Sequence, residues 1–260
     1  MKKDTTHTIR RAEHFKTILT GEGFLVGLIA GLVVLLYRVL LEYAGRAMHV
    51  ILGYSRENPA AAGAWFVLLI LMACIVGKLV KWEPMISGSG IPQVEGEMTG
   101  KLEQVWWRVL PAKFLGGFLS LLAGLSLGRE GPSIQIGAMT GKALSKALDR
   151  GKTEEKYLLT CGASAGLAAA FHAPLAGVMF SLEEIHKNFS VSVLVSVMTA
   201  SITADYVSSQ FLGFHSVFQF DIGAEIQPRY YWHILILGVI LGLLGAFYNK
   251  MTLWVQNLYY

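Results

Sequence analysis

Six apolar runs decide what this chain can become: Phe24–Leu36, Ala61–Val80, Val109–Leu127, Tyr157–Leu182, Val191–Leu212 and Trp232–Val255. An α-helix rises about 1.5 Å per residue, so roughly 20 apolar residues cross the hydrocarbon core of a bilayer. Most of the runs approach or exceed that length. Only 15% of the residues are charged, against about 25% in soluble domains, so the chain lacks the polar surface that a water-soluble protein would need. The expectation is an all-α, integral, multi-pass membrane protein. Its net charge of +4 is dispersed, with no basic block interleaved with aromatics. Nucleic acid is therefore excluded as a partner, and the lipid bilayer is the first partner implied.

The amino-terminal end sets an orientation. Lys2, Lys3, Arg10, Arg11 and Lys16 outweigh Asp4 and Glu13, which by the positive-inside rule places the N-terminus in the cytoplasm, in the cell's inner or plasma membrane. Residues 1–20 read as a basic amphipathic surface helix carrying Ile9, Phe15, Ile18 and Leu19. A signal peptide fits poorly, because the apolar run starts late and no small-residue cleavage site follows it. The first span then runs from about Gly23 to Tyr43, with Gly23, Gly27 and Gly31 as a stripe that lets another helix approach closely. A loop with Arg46, Arg56 and Glu57 is expected next, followed by a span closed by Lys78 and Lys81. Trp82, Trp106 and Trp107 sit at segment edges, where an interfacial belt or simple packing would place them. Cys74 and Cys161 fall in apolar segments and read as buried thiols, with no disulfide framework or metal set between them.

The middle of the chain is punctuated. Ile86–Glu97, Trp107–Leu127, Pro132–Leu148, Lys156–Ala170 and Pro174–Glu184 follow one another, and several are too short to span. Irregular backbone at membrane depth is tolerated only where it is buried or lines a polar cavity, so broken helices around a site are expected. The segment Gly27-Leu-Ile-Ala-Gly31 to Tyr37 also resembles Gly238-Val-Ile-Leu-Gly242 to Tyr248, 211 residues later. The expected organisation is an N-terminal helix (1–20), a first membrane repeat (21–212), a connecting loop (213–230) and the first helix of an incomplete second repeat (231–260). Completing that repeat would take roughly 200 further residues.

Two glycine-rich breaks carry the chemistry. In Ser87-Gly-Ser-Gly-Ile-Pro-Gln-Val-Glu95, the glycines allow a sharp turn and Pro92 suits the first turn of a helix. The free N–H groups of that turn, at the positive end of the helix dipole, suit an anion, and Ser89 adds a hydroxyl. A plain turn remains open for this segment by itself; a dinucleotide fingerprint does not, since no third glycine follows. In Gly128-Arg-Glu-Gly-Pro-Ser133 a second helix opens with Glu130 at its start. An ionisable residue inside a membrane is a functional candidate by default. Glu130 can fill an anion position when charged and leave it when protonated; a structural pairing with Arg129 or Lys113 is the alternative. Glu183 and Glu184 end a helix that starts near Pro174, either as solvated charges or as a proton station. His172 reads as a hydrogen-bonded structural histidine before a ligand or proton carrier. No HExxH motif or Cys/His cluster supports a metal.

In order and spacing, Gly88-Ser-Gly-Ile-Pro92, Gly128-Arg-Glu-Gly-Pro132 and Gly162-Ala-Ser-Ala-Gly to Gly177 resemble the CLC family of chloride channels and chloride/proton exchangers. The likeness runs from the first span to Tyr248. It implies a CLC-type inverted-repeat bundle of tilted and broken helices, a homodimer, and chloride or a similar anion as ligand. No cofactor is implied beyond the transported chloride and protons. It further implies an anion site from Ser89, Gly90, Ile91, Gly128, Arg129, Glu130 and Gly131. In that site Ser89 would coordinate the anion and Glu130 would be the gating glutamate. Glu184, accompanied by Glu183, would be the internal proton-transfer glutamate of exchangers. Having Ser89 in the first motif sets the chain apart from the fluoride-selective branch. His172 stands where the family often has Asn. The family completes its site with a Gly-x-Phe-x-Pro helix start, which this sequence does not contain, so one half of the site is expected here.

The resulting expectation is chloride/proton antiport by a partial chain, not enzymatic catalysis. A passive chloride channel and a non-transporting half-protein that only dimerises are the alternatives. An intramembrane hydrolase using His172 or His186 with Glu183 lacks a nucleophile motif.

Overall fold

The computed structural model describes the backbone of residues 2–188, 190–213 and 227–258, and side chains within those ranges from residue 16 onward. Every described regular element is helical. Helix α1 spans Lys2–Glu57 and α2 Pro59–Trp82, followed by a 3-10 turn, Pro84–Ile86. The short α3 (Ile91–Met98), α4 (Trp106–Leu122), α5 (Glu130–Ala147) and α6 (Lys152–Phe171) come next. Helix α7 (Pro174–Phe180) continues as a π-helical turn, Ser181–His186, before α8 (Val191–Leu212). A second unit, beginning at Phe218, contains α9 (Tyr231–Leu258). Both segments of the internal similarity are helical, within α1 and α9. Most of the expected connecting loop and the side chains of the first fifteen residues lie outside the described residues.

Four stretches are long and apolar enough to cross a membrane: Lys16–Glu57, Pro59–Trp82, Val191–Leu212 and Pro228–Leu258. The runs Val109–Leu127 and Tyr157–Leu182 instead divide. Helix α4 stops at Leu122, and α6 ends at His172, which adopts a left-handed conformation (φ 54°) ahead of Pro174. The expected loop around Arg46, Arg56 and Glu57 is absent: α1 continues through all three, and Asn58 alone separates it from α2, capping that helix through a hydrogen bond to Ala60 N. Arg46 is accommodated on the helix, where Glu42 forms ion pairs with it and with Arg38, each at 3.8 Å.

Lipid tails are as apolar as a leucine side chain, so helices in a membrane gain little from burying apolar surface against each other; close packing has to hold them. The glycine stripe of α1 meets small residues of α8 at the same spacing. A Cβ built on Gly23 would lie 2.6 Å from the Ser196 carbonyl oxygen, and one on Gly27 or Gly31 would lie 2.8 Å from the Cα of Ala200 or Ala204. Helices α5 and α6 approach the same way, with Gly137 and Gly141 against Gly162, Gly166 and Leu158. Tyr37, Val26, Val34, Ala200 and Ala204 fill the core between α1, α6 and α8.

A second core of Ile86, Val94, Val109, Ile134, Met139 and Ile185 sits under the two breaks and fixes α3, α4 and α5 around them. Ion pairs tie the turn between α5 and α6: Arg150 binds the buried Glu22 of α1, and Lys146 binds Glu155 at 2.7 Å. The hydrogen bond to Glu155 raises the Lys146 pKa above its ordinary value. Cys161 is buried, but Cys74 is exposed on α2. The correction has a plain cause: in a membrane protein an apolar segment can face lipid, so apolarity does not imply burial.

Candidate functional site

The first break is held open by its own backbone. Gly88 and Gly90 both take positive φ (67° and 101°), conformations that an L side chain disfavours, so the chain reverses sharply and starts α3 at Ile91 with Pro92 in its first turn. Ser89 Oγ accepts from the Ile91 N–H at 3.3 Å. The hydroxyl hydrogen is left to be donated outward. Gln93 Nε2 closes the loop from one side, donating to the Ser87 carbonyl at 2.8 Å. From beneath, the buried Lys113 ammonium of α4 donates to the carbonyls of Ile86 and Gly88, at 2.9 and 2.7 Å.

The second break starts α5 at Glu130, with Arg129 as the preceding cap residue. It lies directly against the first. A Cβ on Gly131 would stand 2.8 Å from Ser89 Cβ, and one on Gly128 would collide with the Glu130 carboxylate. Ser87, Gly88, Ser89, Lys113, Gly128, Glu130 and Gly131 thus line one cavity of about 520 Å³. Gly90, Ile91 and Arg129 stand beside this wall and not on it: Gly90 faces Gln135, the Ile91 N–H is spent on Ser89, and the Arg129 guanidinium lies 5.4 Å over the Phe171 ring. Among the described residues Glu130 forms no ion pair with Arg129 or Lys113. The cavity therefore combines an ammonium, a hydroxyl donor, a carboxylate and the N-terminus of α5, with the N-terminus of α3 beside its wall.

Glu183 and Glu184 are exposed on the π-helical turn, away from the cavity wall. Such turns place one extra residue in the helix and recur at functional sites. His186, in the same turn, lies 3.1 Å from Thr160 Oγ1 through Nδ1 and stacks near Tyr157. His172 Nδ1 is 3.2 Å from Asp205 Oδ1 and 3.4 Å from Ser209 Oγ, the surroundings of a structural histidine that fastens the end of α6 to α8. The clamp made by Lys113 is the feature that sequence reading missed. Its signal was a lysine set between Ala112 and Phe114 in an apolar run, a position that requires a buried partner.

The model of the voltage gated chloride channel family matches residues 69–260. An H(+)/Cl(−) exchange transporter ClcA of Cronobacter sakazakii is 35% identical over 242 residues, covering 90% of this chain and 51% of that protein. A ClcA of Salmonella paratyphi B is 38% identical over 198 residues, covering 75% of this chain and 42% of that one. The chain thus spans about half the length of the curated relatives it matches. Among solved structures, a slow cyanobacterial Cl−/H+ antiporter superposes with a TM-score of 0.79 at 32% identity, over 89% of this chain and 56% of that one. A CLC-type fluoride/proton antiporter shares the fold, with a TM-score of 0.69 at 23% identity, over 88% and 55% of the two chains.

Proposed function

The chain belongs to the voltage gated chloride channel family, and on that premise we propose that it carries one side of the ion pathway of a chloride/proton antiporter. The observation that carries this reading is the single cavity shared by Ser89, Lys113 and Glu130. Chloride sits against the N-terminus of α5, where the N–H groups of the first turn and the dipole end favour a negative charge, with the N-terminus of α3 beside it. The Ser89 hydroxyl donates to it. A charged Glu130 occupies the same volume, because Gly128 leaves room for the carboxylate to fold back over the loop. Protonation makes Glu130 neutral, so it gives up the position and chloride enters. Glu184, with Glu183 beside it on the exposed π turn, exchanges the proton with the cytoplasm. The working protein is a homodimer in the inner or plasma membrane with its N-terminus in the cytoplasm.

The test is reconstitution of the protein, as produced from its gene, in sealed liposomes. An outward chloride gradient is expected to drive protons inward against their own gradient. Chloride efflux with no proton movement would make the protein a channel instead. Glu184→Gln is expected to remove proton movement while chloride efflux continues at a rate within roughly tenfold of the parent, since the anion cavity is untouched and only a proton-transfer group is lost. Simultaneous chloride and pH electrodes read both quantities.

A further inference from the structure

Behind the first break runs a buried polar chain that takes no direct part in the anion cavity. Lys142 on α5 donates to Glu97 at the end of α3 and to the Gln104 backbone carbonyl at 2.5 Å. The other Glu97 oxygen accepts from Gln104 Nε2 at 3.0 Å. A carboxylate only accepts, so it fixes which way the Gln104 amide points: nitrogen towards Glu97, oxygen away. Gln104 Oε1 in turn accepts from Gln135 Nε2 at 2.7 Å, and the second Nε2 hydrogen goes to the Met85 carbonyl at 2.8 Å. One buried carboxylate thereby sets the orientation of two successive amides. The chain ends on the loop that carries Ser89.

Gln135 touches that loop on both sides of Ser89. It bonds Met85 ahead of it, and its side chain fills the space where Gly90 would carry a Cβ, 2.8 Å from Gln135 Cβ and 3.0 Å from Cδ. Gln104 and Gln135 are 1% and 0% exposed, so water does not stand in for a lost bond. Lys113 grips Ile86 and Gly88 of the same loop. The loop is thus seated on two buried side chains, one of them oriented from a distance.

We propose that Gln135 is a positioning residue for the anion: with Gln104 and the Glu97–Lys142 pair it forms one strut that sets where the Ser89 hydroxyl stands. The inference rests on the reading of Ser89 as an anion ligand. Gln135→Met keeps the volume of the side chain and removes both hydrogen bonds. Gln104→Met cuts the strut one step further back.

Isothermal titration of the purified native protein with chloride tests the strut. Gln135→Met is expected to weaken chloride binding about tenfold, the scale of one hydrogen bond lost from the ion, with proton coupling retained. The Gln104→Met variant should weaken it in the same direction, and the double variant no further, because the residues act as a unit. Val26→Ala, in the core between α1 and α8, lowers thermal stability without touching the loop and serves as the control, with chloride affinity unchanged. Gln135→Met and Gln104→Met both binding chloride within about twofold of the parent, or adding independently in the double variant, would overturn the strut. No chloride binding by the parent would overturn the anion-site reading itself, and the strut's role with it. If Gln135→Met does not fold, Gln104→Met carries the decision alone.

Discussion

Glu130→Gln is expected to abolish proton movement while chloride continues to cross. The substitution keeps the shape of the side chain at the first residue of α5, but an amide neither binds the transported proton nor carries the charge that competes with an anion. Proton flux in liposomes should fall by roughly 10²-fold or more, the scale on which a positioned proton-transfer group is felt. Chloride flux becomes independent of pH. In the parent it is expected to rise as pH falls, because on the proposed mechanism protonated Glu130 is the form that vacates the anion position. Coupled proton uptake by Glu130→Gln, undiminished at any pH, would remove this residue from the mechanism. The Glu184→Gln variant supplies the comparison: both lose protons, but only Glu130→Gln loses the pH dependence of the anion flux.

Gly137→Leu should prevent the protein from holding its fold. A Cβ at Gly137 would lie 3.0 Å from the Gly166 Cα and 3.1 Å from the Gly162 carbonyl carbon, backbone atoms that cannot turn aside as a side chain can. Helices α5 and α6 would have to separate, and α5 carries Glu130. Overpacking a tight core typically costs about 1–3 kcal/mol and occasionally more; backbone contact on this scale puts Gly137→Leu at or above the upper end. Size-exclusion recovery and thermal unfolding in detergent measure it. Gly77→Ala is the matching control. Nothing lies within 4 Å of the position a Cβ would take on α2, and relief of glycine's helix penalty makes that change neutral or stabilising by up to about 1 kcal/mol. Equal losses for the two would show that the α5–α6 approach is not limiting.

The contrast between these glycines explains how much of the molecule could be read in advance. Gly23, Gly27 and Gly31 announced a helix seam because a spacing of four repeats one face of a helix, and α8 answers them with Ser196, Ala200 and Ala204. Glycine–proline breaks announced where helices begin, and α3 and α5 start within them. Local sequence says nothing about contacts between residues tens of positions apart. The pairing of Glu97 with Lys142 and of Gln135 with Met85 joins segments 45 and 50 residues apart, and neither pair has a periodic signature. Likewise, charges at Arg46 and Arg56 suggested a loop, since a single sequence does not reveal that α1 continues past them. Cys74 was misjudged because an apolar surface means burial in water and lipid contact in a membrane.

Lys113 places one positive charge in the wall of the proposed anion cavity. Its ammonium is fixed in the wall by the Ile86 and Gly88 carbonyls, so one negative occupant leaves the cavity neutral and two leave it negative. At 4 Å two like charges repel by about 4 kcal/mol at an effective dielectric constant of 20. On the proposed mechanism a charged Glu130 and a chloride ion beside it therefore compete by charge as well as by volume. Each proton that neutralises Glu130 then frees a place for one anion, and Lys113, held in the wall, offsets the charge of whichever of the two is present.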